Sequence, residues 1–79
     1  MSIKLTLYTK ENCGLCEEAK ESIRLAQSEY KIEVNEIDIY SDDALLEEYQ
    51  LMIPVIQMDG GTIAYGKIHK IDILNAINR

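Results

Sequence analysis

The sequence predicts an α/β fold in which a four-stranded mixed sheet carries three helices, in the order β-α-β-α-β-β-α. Three features lead there. Apolar residues near the start alternate in twos and then switch to helical spacing, the stretch from Val55 to Tyr65 reads as a hairpin, and apolar residues recur every three positions near the end. A strand, crossover helix and parallel strand, followed by an antiparallel hairpin and a helix, form a layered sandwich with helices on both sheet faces.

Ile3, Leu5 and Leu7 alternate with Lys4, Thr6 and Tyr8, which predicts a first strand over about residues 3 to 8, interrupted by Thr9-Lys10-Glu11-Asn12. From Cys16 the apolar positions become Cys16, Ala19, Ile23, Ala26 and Tyr30, with Glu17, Glu18, Lys20, Glu21 and Arg24 opposite, the pattern of an amphipathic helix. Between Ile32 and Tyr40 the β-branched residues return on two parities, Ile32 and Val34 on one and Ile37 and Ile39 on the other. The strand proper is expected at Glu36 to Ile39. Ser41-Asp42-Asp43 offers an N-cap and carboxylates to the positive end of a short helix containing Ala44, Leu45, Leu46 and Tyr49. Pro54 has no N–H to donate and disfavours helical geometry at Ile53, so this helix is expected to end near Gln50. Asp59-Gly60 supplies the positive φ angles of a tight turn between Val55-Ile56-Gln57-Met58 and Thr62-Ile63-Ala64-Tyr65. Ile68, Ile71, Leu74 and Ile77, with Ile73 and Ala76 beside them, predict a last helix over about residues 69 to 78.

Residues 1–79 are expected to form one domain, because 79 residues leave no room for a second lobe. An apolar content of 47% supports a core, and 28% charged residues without low-complexity runs argue against disorder. Eight basic against fourteen acidic residues give a net charge of −6, whose field repels nucleic acid and anionic membrane surfaces, so neither is an expected partner. The apolar runs are far shorter than the roughly 20 residues that span a bilayer. Met1-Ser2-Ile3-Lys4-Leu5 lacks the pattern of a secretory signal, which leaves the cytoplasm as the expected compartment, where thiols stay reduced.

The cysteines form Cys13-Gly14-Leu15-Cys16, where the first strand ends and the first helix begins. At a helix start the unpaired backbone N–H groups and the positive dipole end favour an anion, so Cys13 is expected to react as the thiolate. Cys16, a turn along on the apolar stripe, is expected to be more buried and to displace the mixed disulfide that Cys13 makes with a substrate. Lys10 either supports the thiolate or is simply solvated, while Glu17 and Glu18 oppose an anion unless they point into water, as expected. Gly14 permits close approach of a substrate backbone, and Leu15 offers an apolar rim. Tyr8 and Tyr65 read as half-buried sheet residues, whereas Met52 and Ile53 fit either a docking rim or a loop packed on the core. A closed zinc site needs four ligands, and beyond the cysteines the chain has one histidine, His69, so no structural metal is expected. His69 is expected in solvent at the start of the last helix.

Tyr8-Thr9-Lys10-Glu11-Asn12-Cys13-Gly14-Leu15-Cys16, with Ile37-Asp38-Ile39 and Ile53-Pro54-Val55, resembles the glutaredoxin and small-redoxin branch of the thioredoxin fold. The resemblance runs through nearly the whole chain. It implies that Cys13 is the nucleophile, Cys16 resolves, Lys10 sits beside the thiolate and Pro54 is cis. It further implies that main-chain groups of Ile53 pair with a bound peptide as a short added strand. Glutaredoxins usually carry Pro and Tyr between the cysteines, where this chain has Gly14 and Leu15. They also carry Gly-Gly and an acidic residue where this chain has Tyr65-Gly66-Lys67-Ile68, so only Gly66 matches their glutathione carboxylate clamp.

The expected activity is thiol–disulfide oxidoreduction on a disulfide-containing protein or a small thiol substrate, with electron transport through a redox-active Cys13/Cys16 disulfide. No tightly bound cofactor is expected. The chain is too short for a nicotinamide or flavin domain, so electrons are expected from an external reductase or a low-molecular-weight thiol, glutathione remaining one candidate. A monomer is the expected state. The alternative is a low-turnover binding module of the same fold, docking on a partner or carrying an iron–sulfur cluster shared between two chains.

Overall fold

A computed structural model describes residues 2–78. Strand β1 (Ile3–Thr9) leads into helix α1 (Gly14–Ala26), followed by β2 (Ile32–Asp38), α2 (Asp43–Tyr49), the hairpin β3 (Val55–Met58) and β4 (Gly61–Tyr65), and α3 (Lys70–Ile77). The order in the sheet is β2-β1-β3-β4. β1 pairs in parallel with β2 and antiparallel with β3, and β3 with β4, which makes the expected mixed sheet.

Alternation along β1 divides the core between the two faces. Leu5 and Leu7 join Ala19, Ile23 and Ala26 of α1, Ile56 of β3, and Ile68 and Ile73 in one cluster beneath α1 and α3. Tyr8 faces the other way, against Ile39, Tyr49 and Val55 below α2. α1 is also tied to the segment before α3 by the Ser22 hydroxyl donating to the Ile68 carbonyl at 2.9 Å, and the first residue of α3, Lys70, pairs at 2.6 Å with Glu29 in the turn after α1. α2 has 7 residues, connects β2 to β3 and packs Leu45, Leu46 and Tyr49 into this second cluster.

Two boundaries and the exposure of one side chain differ from the sequence reading. The second strand covers Ile32–Asp38 rather than Glu36 to Ile39, and Ile39 instead opens a 3-10 turn, Ile39–Ser41. Main-chain pairing with β1 begins at Ile3↔Ile32 and runs on to Thr9↔Asp38, so backbone complementarity outweighs side-chain parity on this edge strand. Helix α1 starts at Gly14 and closes at Ala26, leaving Tyr30 beyond it, half-buried against the larger cluster. Tyr65 is 60% exposed, because it closes an edge strand where no neighbouring strand covers it.

The remaining turns follow from local chemistry. Asp42, rather than Ser41, caps α2, its carboxylate accepting the Ala44 N–H at 2.8 Å. Asp59 and Gly60 both take positive φ, 53° and 80°, which suits the twist of the hairpin. His69 is exposed and precedes α3, with its N–H donated to the Asp72 carboxylate at 3.0 Å. No helix among the described residues is long and apolar enough to cross a membrane.

Candidate functional site

β1 delivers the chain to one end of the sheet through Thr9, which is buried, and the turn to α1 is completed by Asn12 at φ 55°. Asparagine is among the few side chains that tolerate this left-handed conformation. Cys13 follows in extended geometry and is the N-cap of α1, its Sγ accepting the Cys16 N–H at 3.2 Å. That sulfur therefore takes the place that a Ser or Asp oxygen fills at other helix starts. Cys13 and Cys16 form a disulfide with their Cα atoms 5.2 Å apart. Cys13 is half-buried, whereas Cys16 is 0% exposed. Of the two cysteines, Cys13 is therefore the one open to solvent.

Gly14 is exposed, and a Cβ built on it would meet nothing within 4 Å. Packing therefore does not require glycine here. Leu15 beside it is 40% exposed. Lys10 is half-buried and lines a cleft of about 390 Å³ with Asn12, Glu17, Lys20, Glu36 and Asp38. Lys20 bridges Glu17 of its own helix and Glu36 of β2, each at 2.9 Å, and so ties the start of α1 to the sheet. Those two carboxylates, Glu17 first, hold the Lys20 ammonium above its ordinary range. Glu17 is thus in water, as expected, yet its charge is partly matched by Lys20.

The segment before β3 reaches the same end of the sheet. Tyr8 is level with Val55 in the antiparallel register, which brings Pro54 alongside the exit of β1. The Ile53–Pro54 peptide is cis, and Pro54 is buried. The Met52 and Ile53 N–H groups both donate to the Tyr49 carbonyl, at 2.8 and 3.1 Å. From the other side, the Gly66 N–H donates to the carbonyls of Pro54 at 2.8 Å and Met52 at 3.1 Å. Gly66 has φ 71°, a conformation that favours glycine. Its match to a ligand clamp aside, its amide is occupied in bracing this loop. Met52 and Ile53 are half-buried and pack on the Ile39–Tyr49–Val55 cluster.

Tyr49 is the anchor that sequence reasoning missed. Its ring stacks on Tyr8 with centroids 4.6 Å apart, and its hydroxyl accepts from Gln57 Nε2 at 2.8 Å. Gln57 sits two residues from Val55 and so shares its sheet face, the one signal that pointed to a polar partner there. Burial, with the Glu48 charge adding, raises the Tyr49 phenol above its ordinary 10.0. A group whose folded pKa is raised contributes stability below its unfolded value and loses it as pH climbs through the folded one. Unfolding free energy is therefore expected to fall above about pH 10, and Tyr49→Phe to flatten that decline in urea titrations between about pH 8 and 11. Equal slopes for both proteins would exclude Tyr49 as the source.

Leu51, which opens the apolar run Leu51-Met52-Ile53, is 95% exposed. Lys67 lines a cavity of about 600 Å³ together with Met52, Tyr65, Asp72 and Asn75. Among the described residues no group of three or more His, Cys, Asp or Glu side chains is placed to hold a metal.

The arrangement has known relatives. Residues 4–78 match the Glutaredoxin-like domain (DUF836). The X-ray structure of protein XcR50 from X. campestris is similar with a TM-score of 0.82 and 25% identity, over 94% of this chain and 95% of that one. Protein Ne2328 from Nitrosomonas europaea, solved by NMR, gives a TM-score of 0.81 and 27% identity over 95% and 89%. Thioredoxin 1 from Thermosipho africanus, at 15% identity and a TM-score of 0.67 over 98% and 92%, shares the fold. With a cysteine pair at the head of the first helix, a cis-proline loop at the same sheet end and a domain match over residues 4–78, the chain belongs to the glutaredoxin-like domain family and has the thioredoxin fold.

Proposed function

We propose that the protein is a thiol–disulfide oxidoreductase working through Cys13 and Cys16. The observation that carries this reading is the Cys13 sulfur at the helix cap, accepting the Cys16 N–H at 3.2 Å while Cys16 itself is buried. A backbone donor and the positive end of α1 favour negative charge on that sulfur once the disulfide is reduced.

The reduced pair carries the two electrons. The Cys13 thiolate attacks one sulfur of a substrate disulfide, forming a mixed disulfide and expelling the other sulfur as a thiolate that takes a proton from water. Cys16, after losing its proton to solvent, attacks the Cys13 sulfur. That step releases the second substrate thiolate and restores the Cys13–Cys16 bond. The substrate has gained two electrons, and an external reductase or low-molecular-weight thiol returns two to the protein. Gly14 and Leu15 border the attack path, and Pro54 and Ile53 flank it from the β3 side. Lys10 adds positive charge near the loop.

Turnover is expected to be better with a thioredoxin-type reductase than with glutathione, because Gly66 alone matches the clamp that holds the glutathione carboxylate and its N–H is committed to Pro54 and Met52. Insulin reduction coupled to each donor in turn measures this. Faster glutathione-coupled turnover would overturn the donor preference, and absence of exchange with both would overturn the redox reading.

A further inference from the structure

Lys20 makes two ion pairs at once, beside the turn that holds Cys13. Six charged side chains line the cleft of about 390 Å³ there: Lys10 and Glu11 of the loop, Glu17 and Lys20 of α1, and Glu36 and Asp38 of β2. Asn12 lines it too and leads directly into Cys13. Glu18 is exposed and, five residues from Cys13, lies on another side of the helix. The loop before β3, Gln50-Leu51-Met52-Ile53-Pro54, has no titratable side chain, and Lys67 after β4 lines a different cavity. Within the cleft, Asp38 is committed to the Tyr40 N–H at 2.9 Å, and Lys10 has no ion-pair partner among the described residues.

Glu17 is the charge that matters most to Cys13. Four residues apart, the two share one side of α1, and the Glu17 N–H donates to the Cys13 carbonyl at 3.1 Å. Helical side chains lean toward the N-terminus, so a free Glu17 carboxylate would lean toward the Cys13 sulfur and compete with it for the positive end of the helix. Lys20 counters this, holding Glu17 at 2.9 Å from three residues further along and Glu36 at 2.9 Å on β2.

We propose that Lys20 is a positioning residue for the exchange, acting through Glu17: it restrains that carboxylate and matches its charge, so that the positive end of α1 is left to the Cys13 sulfur. This rests on the redox reading of the Cys13/Cys16 pair and deepens it, by naming what sets the reactivity of the nucleophile. Two carboxylates and one ammonium leave a single negative charge on the bridge, and removal of the lysine doubles it. Exposed ion pairs of this kind add little to the stability of a fold. Their effect on a titrating neighbour is easier to see, since a unit charge about 10 Å from a sulfur near the surface moves its midpoint by about half a pH unit.

The test uses the reduced chain with Cys16→Ser, which leaves Cys13 as its one thiol. Iodoacetamide, whose carbon bonds to the thiolate as iodide leaves, is followed by mass spectrometry against pH at about 20 mM salt, where screening is weak. Adding Lys20→Met is expected to raise the midpoint of the rate profile by about half a pH unit and to slow alkylation about threefold below it. Lys20→Arg keeps the charge and is expected to stay within about 0.2 unit of the parent. Lys20→Met combined with Glu17→Gln restores the charge balance and is expected to return the midpoint to the parent value. Salt at about 0.5 M is expected to erase most of the difference between Lys20→Met and the parent. A merely structural tie would instead lower the urea midpoint and slow alkylation equally at every pH. That result, an unmoved midpoint in Lys20→Met, or a shift that survives Glu17→Gln or high salt, overturns the inference. Failure of Cys13 to form a mixed disulfide with bis(2-hydroxyethyl) disulfide at any pH would overturn the redox reading instead.

Discussion

Replacing Cys13 with serine is expected to lower disulfide exchange by at least about a thousandfold, since removal of a covalent nucleophile leaves only binding to act. Cys16→Ser should behave differently. It keeps the attacking sulfur and loses the one that ends the reaction, so a single equivalent of substrate thiol is released and the mixed disulfide accumulates. Mass spectrometry of the intact protein reads this directly as an adduct of one substrate half. In the reduced wild-type protein, iodoacetamide near neutral pH is expected to reach half-buried Cys13 well before Cys16, which is 0% exposed. Equal labelling of the two, or an adduct on Cys13→Ser rather than on Cys16→Ser, would reverse the assigned roles.

Truncating Ile56 to alanine is expected to destabilise the fold by about 3–4 kcal/mol, in the range of large-to-small changes at well-packed sites. Ile56 is 0% exposed in an inner strand, between β1 and β4, and belongs to the cluster beneath α1 and α3. A chain of 79 residues belongs to the small domains whose total stability is at the low end of about 5–15 kcal/mol. The substitution thus removes a large share of it. Urea unfolding monitored by circular dichroism measures the loss, with Leu51→Ala as the control. Leu51 is 95% exposed and is expected to matter by less than about 0.5 kcal/mol. A loss below about 1 kcal/mol at Ile56 would mean that the core refills the gap and that β3 is not its centre.

The elements that read most clearly from sequence are those whose pattern is local. The Ile3, Leu5, Leu7 alternation marks β1, the Cys16, Ala19, Ile23, Ala26 spacing marks the buried side of α1, and Asp59-Gly60 marks the hairpin turn. The cysteine pair at the strand-to-helix junction read equally well, because spacing alone puts it at the head of α1. β2 did not. Its extent is set by pairing with β1, and its mixed parities and exposed Glu33, Val34, Asn35 and Glu36 contain no trace of that partner. Tyr65 was misjudged for a related reason, since exposure on a strand depends on whether another strand lies beyond it.

Residue order was sufficient for the succession of strands and helices, the family resemblance and the place of Cys13 at a helix start, because each depends on neighbours within a few positions along the chain. How the second half of the site is held was settled by folding alone. Tyr49 meets Tyr8 across 41 positions of sequence, and Gly66 meets Pro54 across 12. Contacts of that kind arise when β3 enters the sheet beside β1, and no periodicity in the sequence encodes them.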